Sequence, residues 1–346
     1  MTPLVHPKVS LWSGRNPLAT GIDRYSTCLL RDLQTLDVDV AERRIARREV
    51  NVLGRPVGGS LSVLAGRLLQ RADPNRVNHA LDPSVVVRGT QVVTVHDLVV
   101  EMYPEWYQQT VAARLDWTLV RRAARKVPWL IADSEVTRQA ILETWGVGPD
   151  RVTTVHLGVD PQPEPARRKP SRVPTVVYVG DDNPRKNVGL VVKALAVLRE
   201  QGQPVRFVRI GPSRFPAVHD AYRKEAAAKG VDLVEPGFVS DEEMSRLLSE
   251  AAAFVWPTVA EGFGLPPLEA SALGLPVVAL DTPINREICG AVARYHVNDA
   301  AACAKAISDV LRNPPSTRDC WAHASSFTWA KCARETLAVY EQAVRA

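Results

Sequence analysis

Lysine is scarce in this chain: only 9 of its 43 basic residues are lysine, and 34 are arginine. Arginine forks suit planar anions such as phosphate better than ammonium groups do. Cysteine is also rare. Cys28, Cys289, Cys303, Cys320 and Cys332 are an odd number with no C-x-x-C pair. That excludes a disulfide framework and a cysteine zinc site, and it fits a reducing cytosol. No apolar run approaches the ~18–20 residues of a membrane-spanning helix. The first twenty residues hold His6, Lys8 and Arg15 without a continuous apolar stretch, so no secretory signal is expected. Neither charge sign dominates. Against 38 acidic residues the net charge is +5, too mild for a dedicated nucleic-acid binder. With 46% apolar and 23% charged residues, the 346 residues predict a soluble, cytoplasmic chain of two domains.

Proline is plentiful, at 26 residues. Pro161, Pro163, Pro165, Pro170 and Pro174 crowd one stretch with Arg167, Arg168, Lys169 and Arg172. This reads as an exposed, semi-rigid linker over 161–174 between domains at 1–160 and 175–327. After it, β-branched runs alternate with helical periodicity. Strands are expected at 175–179, 205–210, 231–235, 253–256 and 276–280, with helices at 188–198, 217–229, 241–252 and 267–273 between or after them. Repeated strand–helix units mean parallel α/β sheets. The first half predicts strands at 91–95 and 129–132. It also predicts a helix over 21–36, with Ile22, Tyr25, Leu29, Leu33 and Leu36 on one side, and a long helix over 105–126. Residues 39–75 give no clear pattern. Residues 328–345 predict a last helix burying Trp329, Cys332, Leu337 and Tyr340.

Ligands of such sheets bind beyond the carboxyl ends of the strands, and the chemistry-bearing residues gather there. Arg185 and Lys186 follow strand 175–179 and stand where a helix opens, a place suited to an anionic group. Read alone, this is equally a solvated turn. Glu261 and Glu269 flank a Gly262-Phe263-Gly264 turn after strand 253–256. The glycines allow close backbone approach. Glu269 is expected in the first helical turn, as an acceptor for a hydroxyl pair. His96 and Asp97 end strand 91–95. The loop from Gly14 to Gly21 opens the first helix and brings Arg24 with it.

These residues resemble a family. Glu261 and Glu269 match the E-x7-E motif of retaining glycosyltransferases of GT-B fold, and the chain is similar to glycosyltransferase family 4 over both halves. The matching segments include Gly21-Ile22 with Arg24-Tyr25, Val93 to Leu98, His156 to Asp160, Pro184 to Asn187, and Gly274 to Val278. The subset most resembled uses activated mannose or related hexoses. The resemblance implies two Rossmann-like domains facing across a cleft, with the terminal helix packing back on the first.

The resemblance also implies site roles. Arg185 and Lys186 would hold the donor diphosphate, and Glu269 the ribose. Glu261, Gly262, Phe263, Gly264 and Leu265 would contact the donor sugar. Gly14 and Gly21 would lie near the phosphates, and Val239 near the nucleobase. His96 would serve beside the sugar, and Arg24, Asp97 and Tyr103 would face the acceptor. The expected reaction is hexose transfer from a nucleotide-diphosphate sugar, GDP-mannose first, to a glycan, lipid-linked or small-molecule acceptor. Retention at C1 is implied, with no cofactor. A nucleotide-sugar 2-epimerase of the same fold and a non-catalytic sugar-nucleotide binder are the alternatives.

Breaking the C1–O bond puts negative charge on a diphosphate. Arg185 and Lys186 would neutralise it without a metal. Asp37-Val38-Asp39 matches a metal-binding Asp-x-Asp pattern, but no clear strand ends there, so it reads as a solvated turn. Arg43, Arg44, Arg47 and Arg48, and the series Arg114, Arg121, Arg122, Arg125 and Lys126, suit an anionic surface at the inner membrane face. Such patches are more often solvated faces.

Overall fold

The structure, a computed structural model, describes residues 6–14, 21–45, 50–52, 55–57, 70–107, 110–165 and 173–345. The loop 15–20, Arg47, Arg48 and linker residues 166–172 lie outside them. The chain divides into two units, Met1–Gly158 with Thr328–Ala346, and Val159–Phe327.

The first unit holds a six-stranded parallel sheet in the order β2-β1-β5-β6-β7-β8. Its strands are β1 (Val9–Gly14), β2 (Val40–Ile45), β5 (Val77–Ala80), β6 (Val92–Val95), β7 (Trp129–Ala132) and β8 (Val152–Thr154). Between β2 and β5, β3 (Val50–Val52) and β4 (Arg55–Val57) pair as a separate antiparallel hairpin. The segment without a clear sequence pattern therefore contains strands. In β2, Glu42, Arg43 and Arg44 are exposed, as suits the edge of the sheet and not its interior.

Helix Gly21–Thr35 buries Tyr25, Cys28, Leu29 and Leu33, but Ile22 in its first turn is exposed. The long helix expected over 105–126 is broken. Pro104–Trp106 forms one 3₁₀ turn, and the α-helix runs from Val111 to Ala124, with the Thr110 hydroxyl accepting from Ala113 N at 3.2 Å. A proline-led turn and a fresh N-cap are two independent starts, so the periodicity does not join them. The last helix, Trp329–Arg345, buries Trp329, Cys332, Leu337 and Tyr340 as expected. It is tied in by a buried polar chain. Tyr340 OH lies 2.7 Å from His79 Nδ1, His79 Nε2 2.8 Å from Thr94 Oγ1, and Thr94 Oγ1 2.9 Å from Tyr25 OH. Two helices and the strands β5 and β6 thus share one satisfied network.

The second unit has a six-stranded parallel sheet in the order β11-β10-β9-β12-β13-β14. The strands are β9 (Thr175–Val179), β10 (Arg206–Ile210), β11 (Leu233–Gly237), β12 (Ala253–Trp256), β13 (Val277–Leu280) and β14 (Arg294–His296). Their core includes Val177, Phe207, Phe254, Val278 and, from helix Val188–Glu200, Val191 and Leu195. The edge strand β11 starts two residues later than expected and is only half-covered, so its exposure alternates. The described start of the proline-rich segment is held to this unit. Gln162 O accepts from Trp321 Nε1 at 2.8 Å, and Glu164 lies 3.6 Å from Arg318.

At Gly158 a Cβ would collide with the backbone of Thr328 and Trp329, where no flexible side chain is available to yield. Gly158→Ala is therefore expected to lower unfolding stability by about 1–3 kcal/mol, the scale of overpacking a tight site. A urea-unfolding midpoint equal to wild type would refute that close approach.

Candidate active site

In the second unit the chain leaves β9 for β10 on one side and returns as β12 on the other. The strand order reverses between β9 and β12, and such a reversal opens a crevice beyond the strand ends. The two motifs leave from these two strands. Lys186 and Arg185 follow β9, and Glu261 follows β12.

Pro184–Lys186 is a 3₁₀ turn, closed at its start by Asn183 Oδ1 accepting from Arg185 N at 3.1 Å. Asn187 then adopts a left-handed conformation (φ 55°) before helix Val188–Glu200 begins. The two cations therefore form their own turn and do not open the helix. Val259 N donates to Arg185 O at 2.9 Å, and Arg185 Nη1 donates to Ala260 O at 2.7 Å. The same Nη1 lies 2.6 Å from Glu261 Oε2, while Lys186 Nζ contacts Glu261 Oε1. Lys186 Nζ also lies 4.8 Å from the centre of the Trp256 ring, within cation–π range. The three charged side chains are 16%, 11% and 9% exposed for Arg185, Lys186 and Glu261. Burial pushes the Glu261 carboxyl up, but Lys186 and Arg185 outweigh it and hold the group below the usual carboxylate range. Burial lowers the Lys186 ammonium, and Glu261 opposes that fall. One buried carboxylate thus keeps two cations together, and the trio carries one net positive charge.

Gly264, at φ 100°, leads into helix Leu265–Ala272, with Pro266 and Pro267 in its first turn. A positive φ there suits only glycine without strain. Glu269 is the fifth helical residue, one turn later than expected, because the helix starts at Leu265. Gly262 and Phe263 are buried, and the Phe263 ring meets Phe327 edge-on at 6.1 Å. Val239 is half-buried against the core, whereas its neighbour Phe238 is 79% exposed. The exposed ring after β11 is therefore Phe238.

Sequence reasoning missed what anchors the turn. Asp182 is fully buried and accepts from Ser213 Oγ at 2.6 Å, Arg214 N at 2.7 Å and Phe215 N at 3.0 Å. Arg209, itself 2% exposed, reaches Asp182 at 3.9 Å and Glu235 at 3.4 Å. The loops after β9 and β10 are so clamped together, and a Cβ on Gly211 would collide with Gly180 O. Arg209, between the apolar Val208 and Ile210 in β10, was the available signal.

The first-unit candidates are more dispersed. Gly14 ends β1, Gly21 and half-buried Arg24 begin the first helix, and the loop between the glycines lies outside the described residues. Asp97 Oδ1 accepts from Val99 N at 3.1 Å, a turn-closing role, and Tyr103 stacks on Trp106 at 4.3 Å. His96 has both ring nitrogens engaged. Nδ1 lies 2.6 Å from Asp133 Oδ2 and Nε2 2.8 Å from Leu81 O. Leu81 O can only accept, and the Asp133 carboxylate accepts when ionised, so an ionised Asp133 holds the ring as an imidazolium; burial raises the Asp133 carboxyl, and His96 opposes that rise. Asp133 was also missed. β6 and β7 pair Val95 with Ala132, which brings the residues following them, His96 and Asp133, side by side. Asp37 (φ 57°) turns the chain, and Asp39, just before β2, accepts twice from Arg76 Nη2 at 2.9 Å. Among the described residues no three His, Cys, Asp or Glu side chains cluster in a way that could hold a metal.

The two histidines titrate in opposite directions. Burial, with the charge of His96, lowers His79 to about 3. Burial also opposes the charge on His96, but Asp133 overrides it and raises the group to about 9. Both unfold to the same ordinary value of 6.5. Below that value the unfolded chain binds a proton at residue 79 that the folded chain refuses, so this contribution to stability falls as pH drops toward 3. Above it the folded chain holds a proton at residue 96 that the unfolded chain has lost, and this contribution fades as pH rises through about 9. The expected unfolding midpoint is highest near pH 6.5, and His96→Gln should flatten the alkaline limb. An unchanged alkaline limb in that variant would contradict the ion pair with Asp133.

The chain is similar to known proteins over both units. A family model described as Glycosyl transferases group 1 matches residues 162–326, and one described as Glycosyltransferase Family 4 matches residues 35–163. The chain is 25% identical over 277 residues to O-antigen chain mannosyltransferase B of Escherichia coli, covering 72% of this chain and 70% of that protein. It is 29% identical over 275 residues to the MMP alpha-(1->4)-mannosyltransferase of Mycolicibacterium hassiacum, covering 73% and 65%. The crystal structure of Anabaena HepE in complex with UDP and glucose superposes with a TM-score of 0.69 at 16% identity, over 96% of this chain and 99% of that one. That likeness establishes the shared α/β architecture of GT-B proteins. With adjoining family matches over both units, the chain belongs to the family 4-like glycosyltransferases.

Proposed function

We propose that this glycosyltransferase moves a hexose, mannose first, from a nucleoside-diphosphate sugar to a glycan, lipid-linked or small-molecule acceptor, with retention at C1 and without a metal. The observation that carries the reading is the buried trio of Arg185, Lys186 and Glu261 at the β9/β12 reversal. A departing diphosphate gains negative charge as the C1–O bond breaks, and a fixed positive pair stabilises that charge most in the transition state. The trio supplies one net positive charge in a place from which water is largely excluded, where it acts strongly. The mannosyltransferase relatives support mannose as the sugar. The donor half is the second unit, and the acceptor half the first.

Within this reading Glu269 accepts hydrogen bonds from the ribose hydroxyls, and Gly262, Phe263, Gly264 and Leu265 line the donor sugar. Phe238 replaces Val239 as the side chain beside the nucleobase, because its ring is the exposed one. His96 contributes a fixed positive charge in place of a proton relay. Its two protons are committed to Asp133 and Leu81.

Two measurements test this. With GDP-mannose as donor, Lys186→Ala is expected to lower turnover by roughly 10²–10³, the scale for losing one transition-state stabiliser. EDTA should leave the same assay unchanged. Near-wild-type turnover in the variant would overturn the diphosphate role, and abolition by EDTA would overturn metal independence. Separately, Glu269→Ala is expected to weaken binding of the free nucleotide by about 1.5–3 kcal/mol, the scale of a hydrogen bond to a charged group. A thermal-shift titration with GDP and UDP reads this through the stabilisation that binding gives the folded chain. Identical shifts in variant and wild type would refute the ribose contact.

A further inference from the structure

The face that helix Val111–Ala124 turns to solvent is apolar where a surface helix is ordinarily polar. Val111, Leu115 and Leu119 recur every four residues, so they form one row along the helix. They are 74%, 62% and 42% exposed, and Met102, just before the turn that precedes this helix, is 48% exposed. Around the row stand Arg114, Arg122, Arg125 and Lys126, all exposed and with no side-chain hydrogen bond or ion pair among the described residues. From Thr110 to Lys126 the only carboxylate is Asp116, which is half-buried. Arg121, of the same basic series, is not available. It is spent on buried Glu101 at 3.2 Å, which also accepts from Trp117 and Trp145. That network pins the helix to its unit and leaves the opposite face outward. Half-exposed Tyr103 and Trp106, stacked on each other, precede the helix.

A row of apolar side chains bordered by exposed cations, with aromatic rings beside it, matches a surface that lies in the headgroup region of a bilayer. No helix among the described residues is long and apolar enough to cross a membrane. We propose that helix Val111–Ala124 docks this first unit flat on an anionic bilayer. Val111, Leu115 and Leu119 enter the acyl boundary, while Arg114, Arg122, Arg125 and Lys126 contact lipid phosphates. Charge complementarity selects the occupant, because four exposed cations without a side-chain partner among the described residues outnumber the one exposed carboxylate beside them, Glu105, and favour an anionic lipid surface. The inference does not depend on the transferase reading.

The experiment is co-sedimentation of the whole chain with vesicles of phosphatidylglycerol and phosphatidylcholine, and with phosphatidylcholine alone, at low and high salt. Binding is expected to the anionic vesicles and to weaken with salt, as screening requires. Arg122→Glu with Lys126→Glu should reduce it at least roughly tenfold, since each basic residue contributes about a fivefold factor. Leu115→Ser with Leu119→Ser should reduce it comparably. These positions are exposed, so the melting temperature should stay near wild type and separate lost docking from lost folding. Absence of binding to anionic vesicles at low salt would overturn the proposal. Loss on charge reversal without loss in the serine variant would also overturn it, because it would mean a purely electrostatic contact of the kind an acidic protein offers.

Discussion

The second unit of this molecule depends on one carboxylate placed between two cations. Glu261 cannot be buried as an anion without partners, and Arg185 and Lys186 cannot be buried together without a counter-ion. Each side solves the other's desolvation problem. The pairing also joins segments from the two strands that bound the reversal in the sheet, so the chain near the crevice cannot relax independently on either side. Beneath it, Asp182 and Arg209 repeat the device at greater depth, with the carboxylate spent on backbone N–H groups of the neighbouring loop. The one positive charge left over follows the ends of the two strands that bound the reversal, where sheets of this kind take their ligands.

Much of this was legible in the sequence because the signals were local. Thr175–Val179 and Trp129–Ala132 are strands as expected from β-branched or apolar runs, and their boundaries match. Glycine at 262 and 264, proline at 266 and 267, and two glutamates eight residues apart describe a turn into a helix. What was not legible depends on strand pairing. Nothing in the text of the chain says that His96 meets Asp133, because that follows from the register of β6 and β7. β2 escaped notice because an edge strand with exposed Glu42, Arg43 and Arg44 carries no apolar alternation. The periodicity over 105–126 predicts a helix, but periodicity carries no information about whether an apolar face such as that of Leu115 and Leu119 is covered.

The two units treat charge differently. In the second, cations are gathered at a strand reversal and restrained by one glutamate. In the first, His96 is held as a cation by Asp133, while His79, one strand away, is kept neutral by burial within the hydroxyl network. Neither histidine is suited to shuttling protons near neutral pH. Each is fixed in the protonation state that its surroundings impose, which favours binding and orientation over acid–base turnover.

The first unit is also discontinuous in sequence. Its last helix, Trp329–Arg345, is separated from the rest by the whole of Val159–Phe327. On the ribosome the chain emerges from its amino end, and domains fold as they emerge. The pocket that receives Trp329, Cys332 and Tyr340 must therefore wait, with His79 lacking the Tyr340 hydroxyl, until the second unit has been made. The second unit is contiguous and has no such delay. Order of synthesis thus makes the later-encoded half the first able to finish folding, and leaves the earlier half dependent on a helix encoded after it.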